Sequence, residues 1–329
     1  MKQQKLGKTG LTVTPLGLGL AALGRPGYIN LGHAGDLAHN YDVAAMEVHA
    51  HTVLDAAWAA GIRYFDAARS YGRAEQFLST WLDSRRINPA DVTVASKWGY
   101  TYTAGWQITA DAHEVKEHTL PVLRRQTAES TALLGNYLKL YQIHSATLDS
   151  GVLENKEVIA ELSRLKTTQG LKIGLSLSGA AQAETLRRAL GVRLFDGAPL
   201  FDAVQATWNL LEPSAGPILA EAKVEGLGII VKEAVANGRL TPRSQETHIA
   251  PLRTAAANLG VTVDALALAA VLAQPWVDVV LSGAARVQHL QANAAALAVP
   301  WSDTLAEVLS VLAEPPAVYW QTRSALAWN

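Results

Sequence analysis

A single (β/α)8 barrel, the TIM-barrel architecture of the α/β class, is the fold that the sequence predicts. Eight short apolar segments, rich in β-branched residues, alternate along the chain with segments of helical periodicity. Such alternation is typical of parallel strands joined by right-handed helical crossovers, and eight units in about 300 residues favour a closed barrel over an open sheet. The segment Gly17-Leu18-Gly19 leads into a long loop rather than a helix, which disfavours a dinucleotide-binding open sheet.

The individual elements follow from short apolar runs for strands and from a spacing of three to four residues for helices. We predict strands at residues 16–20, 62–65, 92–96, 138–143, 173–177, 203–206, 228–231 and 277–281. We predict helices at residues 44–60, 74–82, 112–134, 153–168, 181–190, 214–225, 250–259, 263–273 and 287–298. Pro121 marks either a kink in the long third helix or its true start, and Gly170 is placed to cap the fourth.

One domain accounts for residues 1–329. Residues 1–14 contain two turn glycines and alternating apolar residues, which predict an N-terminal β-hairpin that plugs one end of the barrel. Residues 15–298 make the barrel itself. Residues 299–329 make a C-terminal tail that has a helix at 303–313 and then the aromatic residues Tyr319, Trp320 and Trp328. The loop at 24–44 is long for a compact domain, which indicates a functional loop.

The composition limits the classes of partner and of compartment. The chain is 49% hydrophobic and 17% charged, and its net charge of -1 gives no electrostatic reason to bind nucleic acid or an anionic membrane. It contains no cysteine, which excludes disulfides and thiolate metal sites and fits a reducing compartment. Neither a signal peptide nor a membrane-spanning apolar run is visible. We therefore expect a cytoplasmic protein with a small-molecule substrate and no metal, as monomer or homo-oligomer.

Polar residues follow three consecutive predicted strands. Asp66, Lys97 and His144 come directly after the second, third and fourth strands, and Tyr71 lies on the loop beyond the second. Taken singly, each has an ordinary structural interpretation, such as a solvated strand end for Lys97 or a half-buried packing residue for Tyr71. Because parallel strands present their carboxyl ends at one end of a barrel, where ligands bind, the four residues together predict a site.

The four side chains also make chemical sense together. A free tyrosine has a pKa near 10, too high for efficient proton exchange at neutral pH. A nearby ammonium group favours the phenolate, and a carboxylate keeps that ammonium charged and oriented. A histidine beside the phenol can hydrogen-bond a substrate oxygen. The set predicts a general acid and base that acts on an oxygen atom.

The chain resembles the aldo-keto reductases, the NAD(P)-dependent barrel enzymes, over nearly its full length. The residues that carry the resemblance are Phe65-Asp66-x4-Tyr71-Gly72, Ser96-Lys97 and Gln142-Ile143-His144. The resemblance implies that Tyr71 donates or accepts the proton, that Lys97 modulates its pKa with Asp66 as partner, and that His144 orients the substrate carbonyl. It also implies that NADP or NAD supplies the hydride.

Further residues match the segments with which the family binds its cofactor. The candidates are Gly19, Leu20, Ser176, Gln205, Lys232, Gly283, Arg286 and Asn293. Two departures stand out: Leu177 replaces the family's asparagine after strand five, with Ser178 as a substitute, and Lys232 and Glu233 replace the aromatic expected after strand seven. Lys232 and Glu233 either pair with each other or contact the pyrophosphate. A single arginine, Arg286, is a thin clamp for a 2′-phosphate, which favours a relaxed or NAD-preferring enzyme.

Aromatic residues cluster beyond the third strand. Trp98 and Trp106, with Tyr28 and Trp208 from other loops, predict either a flat wall for a sugar ring, aryl aldehyde or polycyclic ketone, or a buried cluster that packs the loop. Tyr319 and Trp320 either cap this wall or seal the outside of the barrel. The Gly, Asn and His residues of the 24–44 loop favour a polyhydroxylated ligand such as an aldose.

Three functions are compatible with a barrel of this kind. The first is an NAD(P)-dependent oxidoreductase that interconverts an aldehyde or ketone, or a sugar lactol, and its alcohol. The second is an NADP(H)-binding regulatory or sensor barrel with little turnover, which the intact set of Asp66, Tyr71, Lys97 and His144 disfavours. The third is an unrelated barrel lyase or isomerase, which would need a metal cluster or a phosphate-binding glycine loop after strand seven.

Overall fold

Eight parallel strands close into a barrel in the computed structural model, which describes residues 1–194 and 196–329. The barrel strands, in chain order, are Leu16–Gly19, Tyr64–Asp66, Thr93–Trp98, Leu138–Ala146, Lys172–Leu177, Ala203–Thr207, Gly228–Lys232 and Val279–Ser282. Each strand pairs in parallel with the next, and the eighth pairs with the first, so the sheet has no free edge. The predicted (β/α)8 barrel is confirmed.

Helices cover the outside of the barrel. Those between and after the strands are Val43–Ala59, Ala74–Ser84, Leu120–Leu134, Lys156–Gln169, Gln182–Leu190, Gly216–Glu225, Ala250–Leu259, Val263–Leu272 and Val287–Ala295. Shorter helices are His33–Asp36 in the first loop and Asp303–Leu309 and Pro316–Ser324 in the tail. Turns of 3-10 helix lie at Pro89–Asp91, Gly135–Tyr137, Leu148–Ser150, Ala236–Gly238, Thr247–Ile249, Ala296–Ala298 and Ser310–Leu312. Gly170 caps its helix at a φ of 69°, as predicted.

The third barrel helix begins later than predicted. Residues Glu114–Lys116 are not helical, because they pair antiparallel with Tyr100–Tyr102 as a two-stranded hairpin above the barrel. The helix starts at Leu120 with Pro121 in its first turn, where a missing backbone N–H leaves no hydrogen bond unmade. The predicted start at residue 112 is therefore wrong, and Pro121 marks the true start.

The N-terminal hairpin closes the bottom of the barrel. Gln4–Lys5 pairs antiparallel with Thr12–Val13, and the side chains of Leu6 and Val13 are fully buried against residues from the barrel interior. Asp278, just before the eighth strand, accepts a hydrogen bond of 3.2 Å from the Gly7 N–H and holds the hairpin there. Because this end is filled, the open end of the barrel is the one at which the strands finish.

The tail packs against the helices on the strand-seven side. Tyr319 and Trp320 are buried with Leu309 and Leu312 in an apolar cluster that includes the helices Ala250–Leu259 and Val263–Leu272. No single helix among the described residues is long and apolar enough to cross a membrane. Only Thr247–Leu259 and Val263–Leu272 taken together, bent by 95° at their junction, meet that length and composition.

Candidate active site

The carboxylate at the end of the second strand is deeply buried and fully bonded. Asp66 is 1% exposed, and its Oδ2 accepts a hydrogen bond from Lys97 Nζ, which lies on the third strand. Its Oδ1 accepts hydrogen bonds from Gln205 Nε2 at 2.9 Å and from Gln142 Nε2 at 3.3 Å. Gly174 makes room for Gln142, because a Cβ there would lie 3.0 Å from Gln142 Cγ. Donors from three further strands therefore hold this carboxylate in one orientation.

Lys97 links the carboxylate to the phenol of Tyr71. The lysine is 0% exposed, and its Nζ donates to the Ala67 carbonyl at 3.0 Å and to the Tyr71 hydroxyl at 3.5 Å. Its ammonium thus has three acceptors, which is the full donor capacity of that group. Burial raises the pKa of Tyr71 above its ordinary value of 10, the Asp66 charge raises it further, and Arg25 acts in the opposite direction.

His144 stands at the edge of the same phenol. Its ring centroid lies 5.4 Å from that of Tyr71 in a T-shaped arrangement, and its Nδ1 is 3.4 Å from Ser70 Oγ. Burial and then the charge of Lys97 lower the pKa of His144 well below 6.5, so the imidazole is neutral at neutral pH. His118 supports it from behind, where its Nε2 lies 2.8 Å from the His144 carbonyl and must donate.

A cavity of about 610 Å³ opens above these residues. Its volume falls in the range of small-molecule and cofactor sites. Asp66, Tyr71 and His144 line one wall, and the cavity runs from there to the loops after the seventh and eighth strands. Lys97 lies behind this wall, where it touches Tyr71 without lining the cavity.

The opposite wall comes from the first loop and the tail. Tyr28 and Trp328 line the cavity there. Arg25 lies between this wall and Tyr71, with its guanidinium carbon 5.2 Å from the ring centroids of both Tyr28 and Tyr71 and 4.7 Å from that of Trp328. The Tyr28 and Asn329 backbones exchange two hydrogen bonds, of 3.2 and 3.1 Å, which hold the tail against the loop. Trp328 also stacks on His113 with ring centroids 4.0 Å apart.

Charged residues meet at the end of the seventh strand. Glu233 accepts hydrogen bonds from the guanidinium of Arg323 at 2.6 to 3.0 Å, and Lys232 Nζ donates to Thr207 Oγ1 at 2.7 Å. Burial alone would raise the pKa of Glu233, but the charges of Arg323 and Lys232 lower it to about 2. Burial lowers the pKa of Lys232 to about 8. Lys232 and Glu233 thus pair, at 3.5 Å, while both line the cavity.

The far end of the cavity lies beside the eighth strand. Asn293 Nδ2 donates to Ser282 Oγ at 2.8 Å, and both residues line the cavity together with Gly283. Arg243 and Asp36 form an ion pair that joins the loop after the seventh strand to the first loop. Leu31 N–H donates to the Asn237 carbonyl at 3.0 Å. The first loop therefore crosses over the middle of the cavity.

The structure brings most of the predicted residues together. The cavity is lined by nine of them: Gly19, Tyr28, Asp66, Tyr71, His144, Gln205, Lys232, Gly283 and Asn293. Leu20 is buried beneath the cavity, and its N–H donates to the Asp66 carbonyl at 2.9 Å. Ser176 is also buried, and its Oγ accepts a hydrogen bond of 2.8 Å from the Ser145 N–H. Arg286 is exposed and does not line the cavity.

The predicted tryptophan wall does not form at the cavity. Trp98 is fully buried against His118, because the third strand extends through it and turns its side chain away from that of Lys97. Trp106 Nε1 donates to the Tyr41 carbonyl at 2.7 Å, and its ring packs on Phe77. Trp208 Nε1 donates to the Pro213 carbonyl at 3.1 Å. These three residues pack loops, which was the alternative interpretation of the cluster.

Several cavity residues escaped the sequence analysis. They are Arg25, Asp36, Glu114, Arg243, Asp264 and Arg323. Trp328 could be suspected from the sequence, because an aromatic residue late in the tail is expected to cover another part of the protein. The other two tail aromatics, Tyr319 and Trp320, seal the outside of the barrel instead. The sequence gives no comparable indication for Arg25, since its neighbours come from distant parts of the chain.

The cavity fits a nicotinamide dinucleotide. A Cβ at Gly283 would find its nearest atom, Asn30 Nδ2, 3.9 Å away, so the backbone at the end of strand eight is accessible to a ligand. Beyond it begins the helix Val287–Ala295, whose N-terminus favours an anion, and Lys232 adds a cation to the middle of the cavity. A space with the tetrad of Asp66, Tyr71, Lys97 and His144 at one end and these groups at the other suits a cofactor with a reactive ring and a central pyrophosphate.

Comparison with known proteins agrees with this geometry. A family model described as "Aldo/keto reductase family" matches residues 15–310. The chain belongs to the aldo/keto reductase family. Aldo/keto reductases carry out NAD(P)-dependent carbonyl reduction, so this aldo/keto reductase is an oxidoreductase that uses NAD(P)H and acts on a small carbonyl compound.

Individual relatives are similar over nearly their whole length. The chain is 26% identical over 311 residues to the uncharacterized oxidoreductase YqkF of Bacillus subtilis (strain 168). This alignment covers 89% of the present aldo/keto reductase and 90% of YqkF. It is 24% identical over 344 residues to the NADH-specific methylglyoxal reductase of Escherichia coli (strain K12), in an alignment that covers 95% of this chain and 99% of that relative. The holo form of AKR11C1 from Bacillus halodurans shares the fold, with a TM-score of 0.72, 22% identity and coverage of 96% and 97%.

Proposed function

We propose that this enzyme interconverts an aldehyde or ketone, or a sugar lactol, and its alcohol, with Tyr71 as the general acid and base. The observation that carries the proposal is the contact between Lys97 Nζ and the Tyr71 hydroxyl, 3.5 Å apart, at the wall of the cavity. Bound NAD(P)H supplies the hydride. The protein supplies the proton, the orientation and the exclusion of water.

The protonation states favour reduction near neutral pH. Because burial raises the pKa of Tyr71, the phenol is protonated there and can donate its proton to a carbonyl oxygen. His144 is neutral, so its ring can hydrogen-bond the same oxygen without adding a charge. Oxidation of an alcohol requires the phenolate and is therefore favoured at alkaline pH.

We assign the nucleotide to the part of the cavity that runs from the tetrad to the far end, with Gly19, Gln205, Lys232, Gly283 and Asn293 among its contacts. Asp264 lines that end, as does Asp36 in its ion pair with Arg243, and Arg286 is exposed outside it. Carboxylates accept hydrogen bonds from a ribose hydroxyl and repel a 2′-phosphate. The proposal is therefore an enzyme that uses NADH at least as well as NADPH. The E. coli relative is described as NADH-specific.

The substrate lies between the tetrad and the opposite wall in this proposal. Tyr28 and Trp328 contribute aromatic surface to this part of the cavity, and the Glu114 and Arg25 side chains add an acceptor and a cation. A small carbonyl compound that carries further hydroxyl groups suits such a surface, since aromatic faces pack against sugar C–H groups and polar groups bind the hydroxyls. The sensor barrel with little turnover is the weaker candidate, because the four tetrad side chains are in mutual contact.

The test is a parallel titration of the purified protein with NADH and NADPH, read by quenching of tryptophan fluorescence, followed by turnover assays with aldehydes and aldoses. We expect both nucleotides to bind, with NADH at least as tight as NADPH. Binding of NADPH that is tenfold tighter or more, a difference of about 1.4 kcal/mol, would contradict the proposed cofactor preference. We also expect steady nucleotide oxidation with at least one aldehyde. Tight binding of NADPH without any turnover would support the sensor function instead.

A further inference from the structure

A buried arginine lies against the catalytic tyrosine. Arg25 is 3% exposed, and its Nη1 donates to the Ser70 carbonyl at 3.0 Å and to Glu114 Oε2 at 2.9 Å. Its Nε has no hydrogen-bond partner among the described residues. The guanidinium carbon lies 5.2 Å from the centroid of the Tyr71 ring. Burial of a cation with an unmet donor costs free energy, and its position beside a reactive side chain makes Arg25 a candidate functional residue.

Two cations therefore face the ring of Tyr71. Lys97 Nζ lies 4.9 Å from the ring centroid, close to the Arg25 distance. A phenolate spreads part of its negative charge from the oxygen into the ring, so a cation near the ring also stabilises it. Gly24 allows this approach, because any side chain at Gly24 would collide with the Tyr71 carbonyl and with Ala74.

We propose that Arg25 is a positioning residue that acts with Lys97 to stabilise the phenolate form of Tyr71. This inference rests on the proposed role of Tyr71 as the proton donor and acceptor. Arg25 then matters most when the phenolate is the reactive form, that is, in alcohol oxidation. In carbonyl reduction it stabilises the phenolate that remains once Tyr71 has given up its proton.

The charges around Tyr71 make the proposal testable, because they shift the pKa of Tyr71 in opposite directions. The groups that face Tyr71 come from six parts of the chain: Asp66, Lys97, His144, Arg25 with Tyr28, Glu114 and Glu233. Burial and the carboxylates of Asp66, Glu114 and Glu233 raise the pKa of Tyr71, whereas Arg25 lowers it. Arg25 and Glu114 are bonded to each other and act on Tyr71 in opposite directions, so removing one charge or the other should move its titration in opposite directions.

The experiment is the pH profile of kcat/KM for alcohol oxidation in wild type, Arg25→Gln, Arg25→Lys and Glu114→Gln. We expect Arg25→Gln to move the alkaline rise of the profile to higher pH by about 1 unit. Glu114→Gln should move it to lower pH, and Arg25→Lys, which keeps the cation, should lie closer to wild type than Arg25→Gln. Near-UV circular dichroism and nucleotide binding verify that each variant is folded, and Glu114→Gln provides the test by itself if Arg25→Gln fails to fold.

Some outcomes would overturn the inference. Equal loss of rate at every pH in both Arg25 variants, with an unmoved profile, would show that Arg25 only packs the loop. A shift of the same sign in Arg25→Gln and Glu114→Gln would also contradict it. The Tyr71→Phe variant separates this failure from failure of the proposed function. If Tyr71→Phe is active, the proposed role of Tyr71 is wrong. If it is inactive and the pH profiles of the Arg25 and Glu114 variants do not move, only the inference about Arg25 is wrong.

Discussion

The two walls of the cavity are built in different ways. The tetrad wall rests on three neighbouring barrel strands, where pairing of Asp66 with Ala95 and of Lys97 with Gln142 sets the position of each residue. The opposite wall brings together a loop and the tail, which are about 300 residues apart in sequence and meet through the backbone pairing of Tyr28 with Asn329. Asp66, Lys97 and His144 thus stand on the closed sheet, and Tyr71 lies on the short loop that follows the second strand, whereas the groups that face them stand on segments that tertiary packing has to assemble.

Because of this difference, we expect catalysis to depend mainly on the tetrad wall and substrate selectivity mainly on the opposite wall. Asp66 has three side-chain donors inside the barrel, so its orientation cannot change without breaking several buried hydrogen bonds. Tyr28 and Trp328 are half-buried and depend on a few contacts at the surface. We therefore expect changes in the tetrad wall to reduce kcat, and changes in the opposite wall to act mainly on KM or on the docking of the tail.

The largest effect on stability is expected where the tail is anchored to the barrel. Arg323→Met removes one of the two cations that pair with Glu233 and should lower the free energy of unfolding by about 2 kcal/mol, because only Lys232 then remains to balance this carboxylate in a largely buried site. The ion pair lowers the pKa of Glu233 from 4.5 to about 2, so its stabilisation is complete above about pH 4.5 and is lost as the pH falls toward 2. Urea denaturation at pH 7 and at pH 3 measures both effects.

The matched control is Arg187→Met. Arg187 also pairs with a glutamate, Glu184, but both side chains are 58% exposed, so the change should be below about 0.5 kcal/mol. Equal destabilisation by the two variants at pH 7 would show that the tail is not anchored through Glu233. A loss in Arg323→Met that is as large at pH 3 as at pH 7 would argue against the charge of Glu233 as its cause.

A smaller effect is expected at the opposite wall. Trp328→Ala removes the ring that covers Arg25 and stacks on His113, and should raise KM for the carbonyl substrate about fivefold, or ~1 kcal/mol. The kcat value should change less than twofold, since no tetrad contact is altered. Steady-state kinetics with saturating nucleotide measures both constants. A large fall in kcat with unchanged KM would contradict the division between the two walls.

The fold and the tetrad were predictable because both depend on local pattern. Apolar runs alternating with helical segments identified the eight strands, and residues directly after three strands had to meet at one end of the barrel. The boundaries were less certain. The third strand extends to Trp98, beyond the predicted end at residue 96, and in a strand the side chains of Lys97 and Trp98 point to opposite faces. That extension is why Trp98 packs outside the barrel and not at the cavity.

The opposite wall was less predictable, because it depends on contacts between distant segments. Tyr28 could be placed near the site from the length of its loop. The position of Arg25 depends on its contacts with Glu114, Trp328 and Tyr71, and no local sequence pattern connects these residues. The segment around Glu114 has the composition of a helix start, and only its pairing with Tyr100–Tyr102 makes it a strand. Tertiary pairing overrides local propensity there.

The most direct test of the central assignment is the Tyr71→Phe variant, assayed for nucleotide binding and for turnover in both directions. The substitution removes only the phenolic hydroxyl that Lys97 contacts. We expect the nucleotide Kd to stay within twofold of wild type and kcat to fall by at least about 100-fold, the contribution typical of a general acid or base. Turnover near the wild-type rate would contradict the assignment of Tyr71 as the proton donor and acceptor.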